Sequence, residues 1–201
     1  MASGTPLLDP KTGARKYLTA DERRAFLEAT RREEADAKFL CQLLYYTGCR
    51  LGEALQVTPA RLDYSANVVT FRTLKQGRDE RGEPRVRFRR NELPPEYLDG
   101  LQSAYSVLRR RRSKRRRDEP LWPVSDRTAR RHVVRVMAAA GVTGPHANPR
   151  GLRHGLGVAL ALERVPVSTI QAVLGHSDVN NTMIYLHAVE DERRALVSRA
   201  W

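Results

Sequence analysis

The chain has 201 residues, with 36 Lys and Arg against 23 Asp and Glu, so its formal net charge is +13. This length allows one ordinary domain, or one domain with short arms, and it buries a core without a disulfide or metal staple. A hydrophobic fraction of 41% favours a globular chain over a disordered one. The excess of cations points to a polyanionic partner, usually nucleic acid, but charge alone does not separate a DNA enzyme from a ribosome-associated or membrane-surface protein.

Cysteines and apolar runs indicate the compartment. Cys41 and Cys49 bracket an apolar, helical stretch whose rise holds them too far apart to bridge, so we expect reduced thiols. The sequence contains no CxxC or HExxH motif, and we expect neither a metal nor another cofactor. It begins without the apolar core of a signal peptide, and no apolar run reaches the ~18 residues of a membrane span. These features predict a cytoplasmic protein associated with the nucleoid.

The first predicted elements are helical. Residues 1–17 hold Gly, Pro and basic residues in no periodic pattern, which predicts a flexible arm. Thr19 begins T-A-D-E, a capping box, and predicts a helix over 20–31. Apolar residues at helical spacing predict a second helix that ends at Gly48, followed by a helical turn over 51–55.

The chain then changes to a period of two. Residues 67–73 (NVVTFRT) are β-branched and alternating, which predicts a strand. Residues 85–89 (RVRFR) predict a second strand with one basic face and one buried face. Helices are predicted after Pro95 over 97–112, 128–140, 152–163, 168–174, 181–187 and 190–199. The sum is a mainly α fold with a small antiparallel β-sheet, in the α+β class.

A basic run occupies residues 109–117 (RRRRSKRRR). One interpretation is contact with a phosphate backbone, in which each neutralised phosphate adds a salt-dependent increment of affinity. The other is a solvated, frayed helix end. In both cases the run adds to the non-specific attraction of a polyanion.

Residues from distant parts of the sequence suit the chemistry of phosphate transfer. A Tyr hydroxyl, with a pKa of about 10, becomes a useful nucleophile when cations hold a phosphodiester and a covalent intermediate forms. The attack builds negative charge on the non-bridging oxygens, to which arginine donates two parallel hydrogen bonds. Tyr185 is the candidate nucleophile, and the candidate phosphate ligands are Arg50, Arg153 and His176. Lys75, at the end of the first strand, is placed to protonate the leaving oxygen.

Each of these residues also has a structural interpretation when taken alone. Arg50 has Glu53 one helical turn further on as an ion-pair partner. Lys75 fits a hairpin lysine, His176 a helix-end histidine, and Tyr185 a half-buried aromatic residue. Their order and local contexts together favour the functional interpretation.

The chain resembles the tyrosine recombinase (phage integrase) family in four segments: YTGCRLGEAL, PRGLRHGLGVAL, VLGHSDVNNTMIY and the hairpin that carries Lys75. The resemblance runs from about Tyr17 to the C-terminus. Its most specific part is L-R-H followed by L-G-H, with a Tyr nine residues beyond that second His. It implies the catalytic-domain fold of that family over residues 18–189.

The resemblance also implies an activity and residue roles. It implies a site-specific recombinase that cuts and rejoins double-stranded DNA through a 3′-phosphotyrosyl intermediate, with no metal or ATP. Arg50 and Arg153 would grip the scissile phosphate, and His176 would bond it. Lys75 would protonate the leaving 5′ oxygen, and Tyr185 would be the nucleophile.

One position departs from the pattern of the family. Arg150 stands three residues before Arg153, where many members carry His. Arginine bonds phosphate but does not accept a proton. If the usual His serves as a base toward Tyr185, that role is vacant or moves to His146 or His154. The alternative is that Arg150 only contacts the DNA backbone.

The resemblance also implies a supporting role for Glu53, which would be the acidic residue behind the catalytic residues that steadies the site.

The resemblance bears on assembly as well. Typical members carry a separate N-terminal clamp domain, whereas here about 17 residues precede the catalytic domain, as in short members or in an excised piece. Residues 190–201 are predicted to form a C-terminal helix that docks on a neighbouring protomer in a homo-tetramer on paired DNA sites; the alternative is that it folds back on its own domain. Off DNA we expect a monomer or dimer.

Two other functions stay open from the sequence. A type IB topoisomerase-like enzyme would share the chemistry and relax a plasmid that lacks any target sequence. A DNA-binding relative that has lost catalysis would bind DNA and cleave none. For a recombinase, integration, excision, inversion and resolution are all compatible with these residues.

Overall fold

A computed structural model describes residues 7–9, 11–78, 84–186 and 188–189, and for 73–78 and 84–86 it describes the backbone alone. In this part of the chain the helices are α1 (Ala20–Ala29), α2 (Ala35–Thr47), α3 (Leu51–Ala54), α4 (Pro95–Tyr105), α5 (Val107–Arg112), α6 (Asp126–Ala139), α7 (Pro149–Leu162) and α8 (Val167–Leu174). Short 3-10 turns cover Thr30–Arg32 and Pro59–Arg61. Residues 180–186, called the tyrosine segment below, are also helical. The strands are β1 (Leu62–Asp63), β2 (Val68–Arg78) and β3 (Pro84–Glu92). The prediction of a mainly α fold with a small antiparallel sheet is confirmed.

Local signals place the helix ends. Thr19 and Glu22 form the predicted capping box at the start of α1. Gly48 ends α2 in the left-handed conformation at φ 57°, where a residue without Cβ carries no steric cost. The helix predicted over 97–112 is instead split into α4 and α5. Ser106, at φ 48°, breaks it, and the chain turns so that Val107 is fully buried.

The sheet has the order β1-β2-β3 and is antiparallel throughout. Phe71 on β2 pairs with Arg89 on β3, and the register shifts between Leu74 and Arg78. The prediction that β3 exposes its arginines and buries its apolar residues is wrong at two positions. Phe88 is 66% exposed, whereas the side chain of Arg89 is only 10% exposed. The reason is a buried carboxylate beneath the sheet, described below.

Two hydrophobic clusters form the core. The larger is built mainly on α2, α4 and α6. The smaller joins α7 and α8 to the tyrosine segment and to the start of the chain, through residues such as Leu7, Tyr17, Leu156, Leu174 and Tyr185.

The prediction of a flexible arm over 1–17 needs correction for its described part. Leu7 is fully buried and Tyr17 is 4% exposed. Leu8 forms an isolated antiparallel bridge with Arg15, and the amide of Lys16 donates to the carbonyl of Leu7 at 2.8 Å. Two apolar residues are too few to give a periodic signal, but they cover one side of the smaller cluster. This part of the chain is therefore a piece of the core.

Some predictions fall on other parts of the chain. The C-terminal helix expected within 190–201 lies outside the described residues. Cys41 and Cys49 are both buried free thiols, as expected. None of the helices in the described ranges is long and apolar enough to cross a membrane.

Candidate functional site

Arg153 is anchored between two helix ends. It lies on α7, is 7% exposed, and donates from Nη1 and Nη2 to the carbonyls of Gly48 and Leu174, each at 2.7 Å. Gly48 follows α2 and Leu174 ends α8, so the guanidinium satisfies carbonyls that helix C-termini leave without an intrahelical partner. Burial, and next repulsion from Arg50, lower the pKa of Arg153 to about 10. The group therefore stays charged near neutral pH.

Arg50, Glu53 and Arg89 form one charged cluster beneath the sheet. Arg89 donates Nη1 and Nη2 to the two carboxylate oxygens of Glu53 at 2.8 and 2.7 Å. The backbone N–H of Arg50 donates to Oε2 of Glu53 at 2.8 Å, and its Nη1 donates to Oε1 at 3.3 Å. The side chain of Glu53 is 6% exposed and that of Arg50 is 49% exposed. The buried carboxylate thus orients both cations and leaves Arg50 facing solvent.

Sequence reasoning missed Arg89 as a member of the site. Its guanidinium lies 4.7 Å from the ring centroid of Phe71, and its Nε donates to the carbonyl of Val173 at 3.3 Å. Gly175, at φ +67°, makes room, because a Cβ there would lie 2.9 Å from Cδ and Nη1 of Arg89. The glycine of L-G-H was the available signal, since a position that tolerates no Cβ marks a close approach.

Tyr185 lies fully buried beside two histidines. Its ring stacks on His176, with centroids 6.0 Å apart and planes 13° apart. Its hydroxyl lies 3.1 Å from Nδ1 of His154. A Cβ on Gly157 would lie 2.4 Å from Cε1 and Cζ of Tyr185, so the glycine on α7 lets the ring approach the helix backbone. His176 is held in turn by a 2.9 Å hydrogen bond between its Nδ1 and Oγ1 of Thr182.

Burial dominates the titration of this group of residues. It raises the pKa of Tyr185 to about 12, against the opposing fields of Arg153, Arg150 and Arg50. Burial, and next the field of Arg153, lower the pKa of His176 to about 4. For His154, burial and then the neighbouring Arg150 lower the pKa to about 3. Both histidines are therefore neutral near pH 7, and the tyrosine is protonated.

The structure gives different partners to His146 and His154, the two histidines considered near Arg150. Nε of Arg150 donates to Nε2 of His154 at 3.3 Å, on the side of the ring opposite Tyr185. His146 instead contacts Glu22, with Nε2 and Oε1 3.2 Å apart, in a network that also includes Arg15. Only His154 of these two reaches the tyrosine hydroxyl.

Only the backbone of Lys75 is described. It lies on β2 within the stretch where the register to β3 shifts, between Leu74 and Arg78. Its side chain lies outside the described residues, so its expected role stays a prediction.

A cationic cleft of about 1080 Å³ opens in front of the cluster. His176 lines this cleft and stacks on Tyr185, which is itself fully covered, so the tyrosine lies one layer behind the wall. No group of three His, Cys, Asp or Glu side chains suited to a metal is found among the described residues. The charged lining residues are Arg50, Glu53, Arg72, Arg87 and Arg89, and the neutral His176 lies beside them. Such a cleft suits a ligand that carries several negative charges.

Comparisons with known proteins agree with the sequence resemblance. The sequence profile of the phage integrase family matches residues 16–192. An integrase/recombinase of Escherichia coli is 27% identical over 194 aligned positions, covering 78% of this chain and 56% of that protein. A probable site-specific recombinase in the afa region of Escherichia coli is 30% identical, with coverage of 89% and 68%. The tyrosine recombinase XerD of Brucella abortus biovar 1 is 30% identical, with coverage of 87% and 58%. The chain thus spans little more than half the length of several curated relatives.

Solved structures share the fold. XerA recombinase matches with a TM-score of 0.68 at 22% identity, covering 97% of this chain and 66% of that one. XerH recombinase bound to its palindromic difH substrate gives 0.70 at 20% identity, covering 94% and 55%. The catalytic domain of bacteriophage HP1 integrase gives 0.59 at 18% identity, covering 90% and 93%. These matches confirm the predicted catalytic-domain fold. Because the family profile matches residues 16–192, which is most of the chain, this chain belongs to the phage integrase family.

Proposed function

We propose that the chain is a site-specific DNA recombinase that cuts and rejoins double-stranded DNA through a tyrosine. The observation that carries the proposal is Tyr185, held between His154 and His176 directly behind a cleft lined by arginines. The structural relatives XerH and the Tn1549 transposon integrase were solved with DNA. Such a function places the protein in the cytoplasm, at the nucleoid.

The proposed reaction replaces one phosphate ester by another. Oη of Tyr185 attacks the phosphorus, the P–O5′ bond breaks, and a 3′-phosphotyrosyl link forms. Lys75 gives the leaving 5′ oxygen its proton. Attack by the 5′ hydroxyl of another strand reverses the step, so rejoining needs no ATP.

The residues proposed to bind the phosphate are cations and a histidine that the hydrogen bonds described above hold in place. Arg153 uses two of its five N–H groups on helix carbonyls and keeps the others for a phosphate oxygen. Arg50 faces the cleft and is oriented by Glu53. His176 lines the cleft and reaches the phosphate with the ring nitrogen that Thr182 does not occupy. Cations fixed in advance stabilise the charge that builds during attack.

The nucleophile must move for this reaction. Tyr185 is fully covered, so the tyrosine segment shifts toward the cleft when DNA occupies it. We place this event in a homo-tetramer on paired DNA sites, with residues 190–201 docking on a neighbour; off DNA the chain is a monomer or dimer.

The test is a covalent trap. Duplexes that the protein binds are selected from a randomised pool. A nick beside the cleavage point lets the short fragment that carries the freed 5′ hydroxyl diffuse away, so that the adduct accumulates. We expect a denaturation-resistant protein–DNA adduct with the native chain and none with Tyr185→Phe. Tyr45→Phe, a tyrosine outside the cleft, is the matched control and keeps the adduct. An adduct that persists in Tyr185→Phe contradicts the assignment.

A further inference from the structure

Arg150 and His154 form a chain of hydrogen bonds that ends on the nucleophile. Nε of Arg150 lies 3.3 Å from Nε2 of His154, and Nδ1 of the same ring lies 3.1 Å from the hydroxyl of Tyr185. His154 therefore uses both ring nitrogens, one toward each neighbour. The direction of these bonds decides what His154 does to the tyrosine.

The chemistry of arginine fixes that direction. A guanidinium has donors only, so Nε2 of His154 must offer its lone pair to Arg150. A neutral imidazole carries one proton, and with Nε2 bare that proton sits on Nδ1. Nδ1–H then donates to the oxygen of Tyr185. The burial and the cationic neighbours that lower the pKa of His154 to about 3 keep the ring neutral, as this arrangement requires.

We propose that Arg150 fixes the tautomer of His154, and that Nδ1–H of His154 stays bonded to the oxygen of Tyr185 as the tyrosine segment shifts toward the cleft, where it stabilises that oxygen as it becomes a phenolate. His154 is thus a catalytic hydrogen-bond donor, and Arg150 is a positioning residue that acts through it. This inference rests on the proposed function, because it assigns the tyrosine as the nucleophile. It gives the arginine at position 150 a purpose, because a guanidinium only donates to His154, whereas a neutral histidine there has both a donor and an acceptor nitrogen.

The proton balance follows from the same bonds. Neither Arg150 nor Nδ1 of His154 has a lone pair for the proton of Tyr185, so that proton passes to water. The Oη–P bond then forms and the P–O5′ bond breaks, with the 5′ oxygen protonated as proposed above. A donor aimed at the developing charge lowers the barrier to attack, and removal of one such donor typically slows a reaction about 10²- to 10³-fold.

The first test reads the tautomer without DNA. The full chain is labelled with 15N-histidine, and the two ring nitrogens of each histidine are observed by NMR near neutral pH. His154→Asn identifies the signals of His154 by their loss. We expect a protonated Nδ1 and a bare Nε2 in the native chain, and a mixture of tautomers in Arg150→Ala. A protonated Nε2 in the native chain overturns the proposal. Because this measurement needs no cleavage, its outcome is independent of whether the protein is a recombinase.

The second test separates a donor from a base. Asparagine at 154 places an amide N–H near the position of Nδ1 but offers no basic nitrogen, whereas alanine offers neither. At saturating protein on the nicked duplex, we expect His154→Ala to slow adduct formation by about 10²-fold or more, and His154→Asn to be much faster than His154→Ala. Equal loss in the two variants identifies His154 as a proton acceptor and overturns the proposal.

The third test asks whether Arg150 acts through His154. Arg150→Ala is compared in the native and the His154→Asn backgrounds, since the asparagine has no tautomer to fix. We expect the loss of rate at saturating protein to be much smaller in the second background. Equal losses in both, together with weaker DNA binding, identify a backbone contact instead. Arg130→Ala, which removes an exposed arginine paired with Asp126 on α6, controls for the loss of one charge.

Discussion

At the scale of single residues, the arrangement of the site depends on what small side chains leave room for. Gly157 and Gly175 stand where a Cβ would meet Tyr185 and Arg89 respectively. Gly175 has a φ of +67°, a backbone conformation that itself favours glycine. Gly157 has a helical backbone, so glycine is required there only because a Cβ has no room. In both cases the glycine determines where a functional side chain lies.

Gly157→Ala tests this close approach. In an open helix the change to alanine stabilises by about 1 kcal/mol, but here the added Cβ would lie 2.4 Å from ring atoms of Tyr185. Overpacking of this kind costs about 1–3 kcal/mol, so we expect a lower free energy of unfolding in urea. Gly52→Ala on α3, where a Cβ meets no atom within 4 Å, is the control and should be neutral or stabilising. A stabilised Gly157→Ala would contradict the packing of the tyrosine ring.

At the scale of elements, the functional residues are held by contacts between segments far apart in sequence. Arg153 on α7 binds the ends of α2 and α8, and Arg89 on β3 binds Glu53 on α3. The start of the chain takes part as well, because Leu7 and Tyr17 belong to the cluster that also contains Tyr185. The N-terminal residues therefore pack in the same cluster as Tyr185, the proposed nucleophile.

Leu7→Ala measures that support. Leu7 is fully buried, and a buried Leu-to-Ala change typically costs about 2–5 kcal/mol through lost burial and the cavity left behind. We expect a loss in this range in denaturant unfolding. Leu108→Ala, at a leucine that is 39% exposed on α5, should change stability by about 0.5 kcal/mol or less. If Leu7→Ala matched Leu108→Ala, the first residues would contribute nothing to the core.

At the scale of the whole molecule, the net charge of +13 has two components. A few cations are fixed at the cleft by hydrogen bonds and burial. Other cations are exposed, and many of them lie next to one another in the basic run 109–117. Arg110 is the exception within the run, since its side chain is 10% exposed and donates to the carbonyls of Glu119 and Pro120. Arg116 and Arg117 are exposed but pair with Glu119 and Asp118, and the other exposed cations of the run face solvent, from which a phosphate backbone approaches.

Salt dependence distinguishes these components. Each phosphate that a protein neutralises on duplex DNA contributes about 0.9 to the slope of log affinity against log salt concentration. We expect the triple change of Arg111, Arg112 and Arg115 to Gln to reduce the slope, by up to about 0.9 for each phosphate that is no longer neutralised. The measurement is DNA binding by fluorescence anisotropy across a salt series.

A matched control removes the same charge elsewhere. Arg127, Arg130 and Arg131 are exposed on α6, and their triple change to Gln lowers the net charge equally. We expect a smaller reduction of the slope from this variant. Equal slopes for the two triple variants would mean that the run acts only through net charge.

The sequence by itself determined the elements whose signals are local. Three such signals are the capping box at Thr19, the glycine at 48 and the alternation over 67–73. Each depends on neighbours within a few residues, so the sequence alone was enough to predict it. Arg50, Arg153, His176 and Tyr185 were predicted as site residues from their order and local contexts and from the resemblance to the family. Only the tertiary structure decided the burial of Leu7 and Tyr17, the inward turn of Arg89, and the choice of His154 over His146 as the neighbour of Tyr185. These features depend on atoms brought together from distant segments, and a pattern of spacing carries no information about which partner each side chain meets.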